Sequence, residues 1–360
     1  MIDFRLKPGL SLNAIGRLTS KKILPIVLVG IFLTLSTIVV FARNHQRISG
    51  LFGLSYWEEK KCVSDCSKGR AAVVTFLASE FNGKNNDNDD DDVYYVGARL
   101  IAYQLLHAPE TKFLKPTPFI VLVTSDVRPS KRQRLTDDGA IVVLVNHVDH
   151  NLSIEEPRWV ETFTKMRMFD PKHVPYDKVL YVDTDIVFTR PIDGIFRDAN
   201  TAPAIPLNTS GQVQPDEGEL PKNFVMAATP ESGEIDHTYP YFDANHEKSY
   251  FNSGFFVYSP SREMFDHYMN ILGKSDRYFH GFPDQDLLNY AHRWGGPMPW
   301  KRLHFSWNLN WSNDNDFEGG MATLHVKWWD RDYGFKKCRD YSLARRWEME
   351  GFWRGAVKCS

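Results

Sequence analysis

The chain has 360 residues, 42% of them hydrophobic and 24% charged, and this ordinary composition excludes a wholly disordered protein. Its 43 basic and 45 acidic residues leave a net charge of −2, so no overall positive field attracts nucleic acid and no such partner is expected. Four cysteines are too few for a disulfide-dense scaffold. A mean hydropathy of −0.39 excludes a protein with many membrane spans.

An uncharged apolar stretch lies near the N-terminus, at residues 23–42. As a helix, these 20 residues would be about 30 Å long, which matches the hydrocarbon core of a bilayer. Basic residues precede the stretch, and this favours a signal anchor with a cytosolic tail at residues 1–22 and a stem at 43–70. The alternative is a cleaved signal peptide, whose apolar core is normally shorter.

A signal anchor would place the rest of the chain in an oxidising, lumenal compartment. Three sequons for N-glycosylation follow the stretch, at Asn151, Asn208 and Asn310, although such tripeptides also arise by chance. The four cysteines also follow it, and they allow three pairings if all are bridged; four unpaired thiols are the alternative. They are Cys62, Cys66, Cys338 and Cys359.

Short apolar runs alternate with helical periodicity through the first half of the remaining chain. Strands are predicted at Ala71–Leu77, 119–124, 141–145, Lys178–Val182, Ile186–Phe188 and 255–258, and helices at 94–106 and 158–169. This alternation predicts an α/β fold, a mainly parallel sheet with helices on both faces, over residues 71–335. An extension at 336–360 follows, and the acidic stretch 82–92 and residues 200–250 are predicted to be loops or insertions.

Two aspartates, Asp183 and Asp185, come directly after the strand at Lys178–Val182. Residues two apart on a strand project on one face, so both carboxylates can meet one cation at the carboxyl edge of the sheet. A divalent cation held there could bridge a diphosphate and stabilise it as a leaving group. The alternative is a pair of surface turn residues, since the same spacing recurs elsewhere, for example at Asp330 and Asp332.

Histidines supply further candidate ligands. His325 could complete an Asp–Asp–His set, which would favour manganese over magnesium, although a lone histidine is more often structural. His147 and His150 are interpreted as loop residues.

Two later segments offer polar groups that could bind a sugar. Gly254 permits close backbone approach, and Asn252 offers a donor and an acceptor to hydroxyl groups; a plain turn before a strand is the alternative. Asp284 and Gln285 begin a predicted helix, where Asp284 could be no more than the N-cap. Eight of the ten tryptophans lie between Trp294 and Trp353, and most are predicted to be core residues rather than a sugar-stacking wall.

Taken in chain order, these motifs resemble glycosyltransferase family 8, the group of glycogenin and bacterial galactosyltransferases. The resemblance covers about residues 70–330. It rests on residues 72–77, 93–98 and 163–166, on Asp183-Thr184-Asp185, on Phe251-Asn252-Ser253-Gly254, on 284–289 and 307–309, and on His325.

The resemblance implies a GT-A, Rossmann-like fold and a retaining transfer from a UDP-sugar with manganese or magnesium. It assigns Asp183, Asp185 and His325 to the metal and the diphosphate, and Thr75 and Tyr94 to the nucleoside. Lys165, Asn252, Gly254 and Asp284 would contact the donor. Asp284 and Gln285 are the catalytic candidates, and Gln285 occupies the position where a nucleophile is sought in relatives. An amide is a poor nucleophile, which favours a front-face displacement guided by the leaving phosphate.

The chain departs from the family after His325, where relatives carry a glycine and a lysine that bind diphosphate. Lys327 is one candidate for the phosphate lysine, and Lys336 and Lys337 are others. With the anchor, the resemblance predicts a fungal type II Golgi enzyme that glycosylates a glycan or glycoprotein with glucose, galactose or N-acetylglucosamine. The alternatives are a catalytically silent, lectin-like or scaffold protein and a haloacid-dehalogenase-type phosphatase with Asp183 as nucleophile.

Overall fold

The structure is a computed structural model that describes residues 70–78, 89, 92–152, 154, 157–207, 214–241, 249–274, 276–332 and 334–357. All described residues belong to one compact unit, Ser67–Ser360. The predicted tail, anchor helix and stem up to residue 69 lie outside these ranges, as does most of the acidic stretch. Within them, no helix has both the length and the apolar character needed to cross a membrane.

The described residues contain nine strands and six α-helices. The strands are β1 Ala71–Leu77, β2 Phe119–Val123, β3 Ile141–Leu144, β4 Lys178–Val182, β5 Ile186–Phe188, β6 Met226–Pro230, β7 Phe251–Tyr258, β8 Lys301–Arg302 and β9 Thr323–His325. The helices are α1 Val93–Leu106, α2 Pro129–Asp137, α3 Arg262–Leu272, α4 Pro283–Ala291, α5 Asp314–Glu318 and α6 Lys336–Val357. Shorter 3-10 segments are Asp193–Arg197, Ala199–Thr201 and Pro215–Glu217, and a longer one is Pro157–Phe169.

Seven strands form one sheet in the order β3-β2-β1-β4-β7-β6-β8. The four strands from β3 to β4 are parallel, β7 runs antiparallel to both β4 and β6, and β8 is parallel to β6. The predicted mainly parallel α/β sheet is therefore confirmed. Strand β5 lies outside it and pairs with β9 in a separate antiparallel ribbon.

The central strands β1, β2 and β4 are buried on both faces, which explains why they are mainly apolar runs. Successive side chains alternate between two core clusters, as the two-residue period of a strand requires. On one face Val73, Leu180 and Phe255 pack with residues of α1 and α6. On the other face Val74, Tyr181 and Phe256 pack with the segment Pro157–Phe169 and with α3 and α4.

Three predicted elements differ from the structure. The segment predicted as a helix at 158–169 is a 3-10 helix, Pro157–Phe169. Residues 200–250, predicted to be loops or an insertion, contain β6, a short run whose alanines and terminal Pro230 give little strand signal. Strand β7 begins at Phe251 rather than at 255, because the amide of Asn289 bonds both backbone groups of Phe251 at 2.8 Å.

Cys338, the third residue of α6, is a free thiol that packs in the hydrophobic core of the protein. It is fully buried and donates to the carbonyl of Asn313 at 3.0 Å. Burial raises the pKa of this thiol far above its ordinary value, so it is an inert core residue. The other three cysteines lie outside the described residues.

A buried ion pair fastens the loop after β6 to α5. Nε2 of His237 lies 2.8 Å from Asp316, which also accepts the backbone N–H of Asn313 at 2.9 Å. Both side chains of the pair are almost completely buried. Burial lowers the pKa of His237, but the hydrogen bond to Asp316 outweighs this and raises the pKa above 6.5.

This pair predicts a pH-dependent part of the fold's stability. Protonated His237 stabilises the folded state fully below pH 6.5, and the contribution is lost as the pH rises through the raised folded-state pKa. We expect His237→Gln to lower the free energy of unfolding by about 3 kcal/mol at acidic pH and by less above neutrality. Denaturant titrations across this pH range measure the difference. Asp316→Asn should remove the same pH-dependent part, and an equal loss at every pH would contradict the prediction.

Candidate metal centre

Two sheets bring the predicted cation ligands together. Asp183 follows β4 and donates its backbone N–H to the carbonyl of Gly254 on β7 at 2.8 Å. Asp185 comes just before β5, whose first residue pairs with His325 at the end of β9. The ribbon of β5 and β9 therefore carries His325 to the carboxyl edge of β4, 140 residues away from Asp185 in sequence.

Asp183, Asp185 and His325 each offer one ligand atom, and these atoms all lie within 4.8 Å of one another. Nε2 of His325 lies 3.1 Å from Oδ1 of Asp185. Burial opposes charge on both groups, but their mutual attraction raises the pKa of His325 and lowers that of Asp185 to about 2. Nδ1 of His325 is buried without a hydrogen-bond partner.

This donor set suits a divalent cation. Carboxylate oxygens are ligands for hard cations, and an imidazole shifts the preference towards manganese and related metals. Three protein ligands leave positions open for a ligand such as a phosphate. The three residues, called the triad below, therefore fit a metal that also binds substrate.

Gly254 lies directly against the triad. A Cβ atom at this position would lie 2.5 Å from Cε1 of His325 and 2.8 Å from Oδ2 of Asp183, both far inside van der Waals contact. The lack of a side chain at Gly254 is therefore a condition for assembling the triad.

We expect Gly254→Ala to weaken Mn²⁺ binding at least about tenfold, because two ligands must move apart to admit the methyl group. Calorimetric titration of Mn²⁺ in the presence of UDP measures this. Gly351→Ala is the matched control, because a Cβ there meets nothing within 4 Å. Equal Mn²⁺ affinity in the two variants would contradict the prediction.

Lys165 links the triad to α4. Its ammonium lies 3.1 Å from Asp183 and 3.2 Å from Asp284. Burial lowers the pKa of Lys165, but the two carboxylates outweigh it and raise the pKa well above the ordinary value. The hydroxyl of Tyr181 also donates to Asp183 at 2.6 Å, so Asp183 is held from two sides.

Asp284 lies in the first turn of α4, and the N-cap position belongs to Phe282. Asp284 also accepts from the hydroxyl of Ser253 at 3.0 Å, and it is 6% exposed. The alternative in which Asp284 merely caps the helix is therefore wrong. Its carboxylate instead faces Lys165 across the site.

A second set of polar side chains surrounds Gln285. Its amide oxygen accepts from the backbone N–H of Ser253 at 2.9 Å and from Asn252 at 3.1 Å. Its amide nitrogen donates to Glu231 at 3.2 Å, and Asn252 donates to the same carboxylate at 3.0 Å. Asn310 donates to the other oxygen of Glu231. These four side chains, Asn252, Gln285, Glu231 and Asn310, are called the amide network below.

Asn310 cannot be a glycosylation site in the folded protein. It is 4% exposed, and its side-chain oxygen accepts the backbone N–H of Ser232 at 2.8 Å. Of the other two sequons, Asn151 is exposed in a loop and Asn208 lies outside the described residues.

The remaining predicted site residues are not members of the triad. Lys327 follows the triad histidine by two residues, and its charge also lowers the pKa of Asp185. Tyr94 begins α1, is 39% exposed and packs edge-on against Trp329. On the same helix, Gly97 lies so close to the carbonyl of Thr184 that a Cβ would be 2.1 Å from it. Thr75 is fully buried in β1, and its hydroxyl has no hydrogen-bond partner.

Other polar and aromatic candidates lie away from the triad. His147 and His150 are in the loop after β3, where His147 contacts Asp126 at 3.1 Å and His150 contacts the carbonyl of Val160. Of the later tryptophans, Trp300 and Trp328 are buried core residues, whereas Trp294, Trp311 and Trp347 are exposed.

Sequence reasoning missed Glu231, although it accepts three side-chain hydrogen bonds in the centre of the site. It follows β6 directly, in a region predicted to be loop, and belongs to no motif. Glu231 could have been predicted only from the general rule that ligand-binding residues follow the strands at the carboxyl edge of such a sheet.

Comparisons with known proteins give relatives but no activity. No protein-family model matches the chain. An uncharacterized protein of Schizosaccharomyces pombe is 30% identical over 275 residues, which cover 68% of this chain and 70% of that protein. A second uncharacterized protein of the same yeast is 25% identical over 273 residues, 67% of this chain and 70% of its own length.

Among solved structures, that of mouse xyloside xylosyltransferase 1 in its apo form covers 72% of this chain and 98% of the mouse chain. Its TM-score is 0.41 and its sequence identity 12%. At that score and identity, the likeness establishes neither the fold nor the activity of this chain.

Fold and site together describe an α/β protein whose mainly parallel sheet brings two carboxylates and an imidazole close enough to hold a metal ion at its carboxyl edge. By the identity and coverage of the first yeast relative, the chain belongs to the same protein family as that protein.

Proposed function

We propose that this chain is a metal-dependent, retaining glycosyltransferase that uses a UDP-sugar and resembles glycosyltransferase family 8. The observation that carries the proposal is the triad, which assembles from a D-x-D motif and a distant histidine beside the amide network. A cation held there would neutralise charge that develops on the diphosphate leaving group. The ordered motifs of the sequence support the donor class.

Specific roles follow for the surrounding side chains. Lys165, between Asp183 and Asp284, would help to hold the donor, and Asn252 offers groups to its hydroxyls. Tyr94 at the rim would contact the nucleoside, and Lys327 the diphosphate. We do not assign Gln285 the role of nucleophile, because its amide oxygen already accepts two hydrogen bonds. This favours a front-face displacement, in which the leaving phosphate accepts the acceptor proton.

The full chain, incubated with single UDP-sugars and either Mn²⁺ or EDTA, tests this function by release of UDP. The donors are UDP-glucose, UDP-galactose, UDP-N-acetylglucosamine and UDP-xylose. We expect release from one donor with Mn²⁺ and none with EDTA. If folded protein releases no UDP, calorimetry with UDP and Mn²⁺ separates a missing acceptor from a silent protein. Absence of UDP binding would overturn the proposal.

The cellular location is a separate proposal. We propose that residues 23–42 anchor the chain in the Golgi membrane as a type II protein with the catalytic domain in the lumen. The support is the uncharged stretch with basic residues before it. A C-terminal epitope should then resist protease in intact vesicles and be cleaved when detergent is added. Cleavage in intact vesicles would contradict this location.

A further inference from the structure

A cavity of about 440 Å³ lies beside α4, apart from the triad. Its walls are formed by α4, by the residues just before β7 and by the turns on either side of α4. Its aromatic lining residues are Tyr250, Tyr278, Phe279, Tyr290 and Trp294. We call this cavity the aromatic pocket. Its volume is within the range of small-molecule binding sites.

The lining of the aromatic pocket offers exposed ring faces. Phe279 is 76% exposed and Trp294 is 38% exposed. Trp294 stacks on Trp300, with ring centroids 5.4 Å apart, and the guanidinium of Arg302 lies 5.5 Å from the centroid of Trp294, so these contacts hold the exposed ring in place. Aromatic rings that remain exposed beside a cavity can stack on a flat ligand.

The polar groups in the pocket do not favour a phosphate or another anion. Arg277 is already paired with Asp216 at 2.7 Å and with Glu217 at 2.8 Å. Arg293 lies over the ring of Tyr290, 4.4 Å from its centroid. Flat apolar faces with a few fixed polar groups instead suit a sugar ring, whose faces carry C–H groups and whose edge carries hydroxyls.

The aromatic pocket adjoins the amide network. Tyr250, in the pocket wall, donates its hydroxyl to Asp286 and also contacts the side chain of Gln285. Its backbone carbonyl accepts the N–H of Glu231 at 2.9 Å. The pocket and the amide network therefore share a wall, and the network contacts the triad through Gly254.

We propose that the aromatic pocket binds a sugar ring of the acceptor, so that the acceptor is a saccharide chain. This inference rests on the proposed function, because it takes the triad and the amide network as the donor side. The acceptor ring would stack on Phe279 and Trp294, and the chain would reach the donor past Tyr250. If the acceptor were an amino acid side chain that carries no sugar, the ring faces of Phe279 and Trp294 would remain uncovered.

Saturation-transfer NMR on the full chain with UDP and Mg²⁺ tests the proposal. The probes are the methyl glycosides of glucose, galactose, mannose and xylose. We expect saturation transfer to the ring protons of at least one glycoside, and about tenfold weaker binding in Phe279→Ala and Trp294→Ala. Phe279→Ala keeps the test independent of folding, since that side chain is largely exposed. Trp347→Ala is the matched control, with a 58% exposed aromatic residue on α6 outside the pocket.

Two outcomes would overturn the proposal: no saturation transfer to any glycoside in the unmodified chain, or equal transfer in the pocket variants and the control. Calorimetry of UDP with Mg²⁺ on every variant separates this from failure of the proposed function. UDP binding that is unchanged in all variants, with glycoside binding lost only in the pocket variants, assigns the pocket. If UDP fails to bind while glycosides bind the pocket, the proposed function fails and the saccharide site remains.

Discussion

Asp185→Asn is expected to lower metal-dependent UDP release by about a thousandfold. The substitution keeps the shape of the side chain but removes the charge that faces His325 and the cation. Several kcal/mol of stabilisation of the leaving diphosphate would be lost with the cation, and each 1.36 kcal/mol is a factor of ten in rate. Initial rates of UDP release at saturating Mn²⁺ measure the change.

The matched control is Asp332→Asn, which changes the second aspartate of another D-x-D in the same chain. Asp332 is exposed and lies in a turn, where its backbone N–H donates to Asp330 at 2.9 Å. Thermal unfolding should show that both variants are folded. A rate for Asp185→Asn equal to that of the control would remove the triad from the reaction.

The central part of the fold could be predicted from the sequence, because the physics that forms it is local. Each central strand is buried on both faces, so its residues form an unbroken apolar run such as the one in β2. Asp183 stands out from the other aspartates in D-x-D spacing for the same reason, since a buried strand ends just before it. His325 could be predicted as a ligand because an imidazole can complete an Asp–Asp–His set and because the resemblance to glycosyltransferase family 8 assigns it to the metal.

Other parts could not be predicted, because they depend on contacts between distant segments. The ribbon of β5 and β9 joins residues far apart in sequence, and each of its strands has only three residues. Strand β6 carries an irregularity between Ala228 and Pro230, just before Glu231. No periodicity survives in so short and interrupted a segment, and the position of Glu231 is set by Asn310 and Gln285.

The aromatic pocket could not be predicted from the sequence either, because it too depends on contacts between distant segments. Tyr250 and Phe279 come from segments with no periodic pattern, and they meet only after β7 and α4 have packed. The sequence predicts that most tryptophans between Trp294 and Trp353 are core residues, but not which of them remain exposed. Burial separates Trp300 in the core from Trp294 at the surface.

Glu231→Gln is expected to lower turnover about a hundredfold and to weaken the binding of UDP and Mn²⁺ much less. The carboxylate accepts from Asn252, Gln285 and Asn310 and lies outside the triad. Substitution at an anomeric carbon passes through a state with positive charge on the sugar ring, and a fixed negative charge nearby stabilises it. Removing one such preorganised group typically costs a factor of about 10²–10³ in kcat.

The neutral amide at residue 231 would also turn N–H groups towards the amide donors that surround it, so the orientation of Gln285 would be lost with the charge. The larger effect should fall on the transfer step, because Glu231 is not a member of the triad, although its charge also raises the pKa of His325. The matched control is Glu234→Gln, an exposed carboxylate of the same loop. Kinetics with one UDP-sugar and calorimetry with UDP and Mn²⁺ together separate the steps. Equal losses of turnover and of UDP affinity would show that Glu231 holds the nucleotide site together, whereas a loss of turnover alone would place its charge at the transferred sugar.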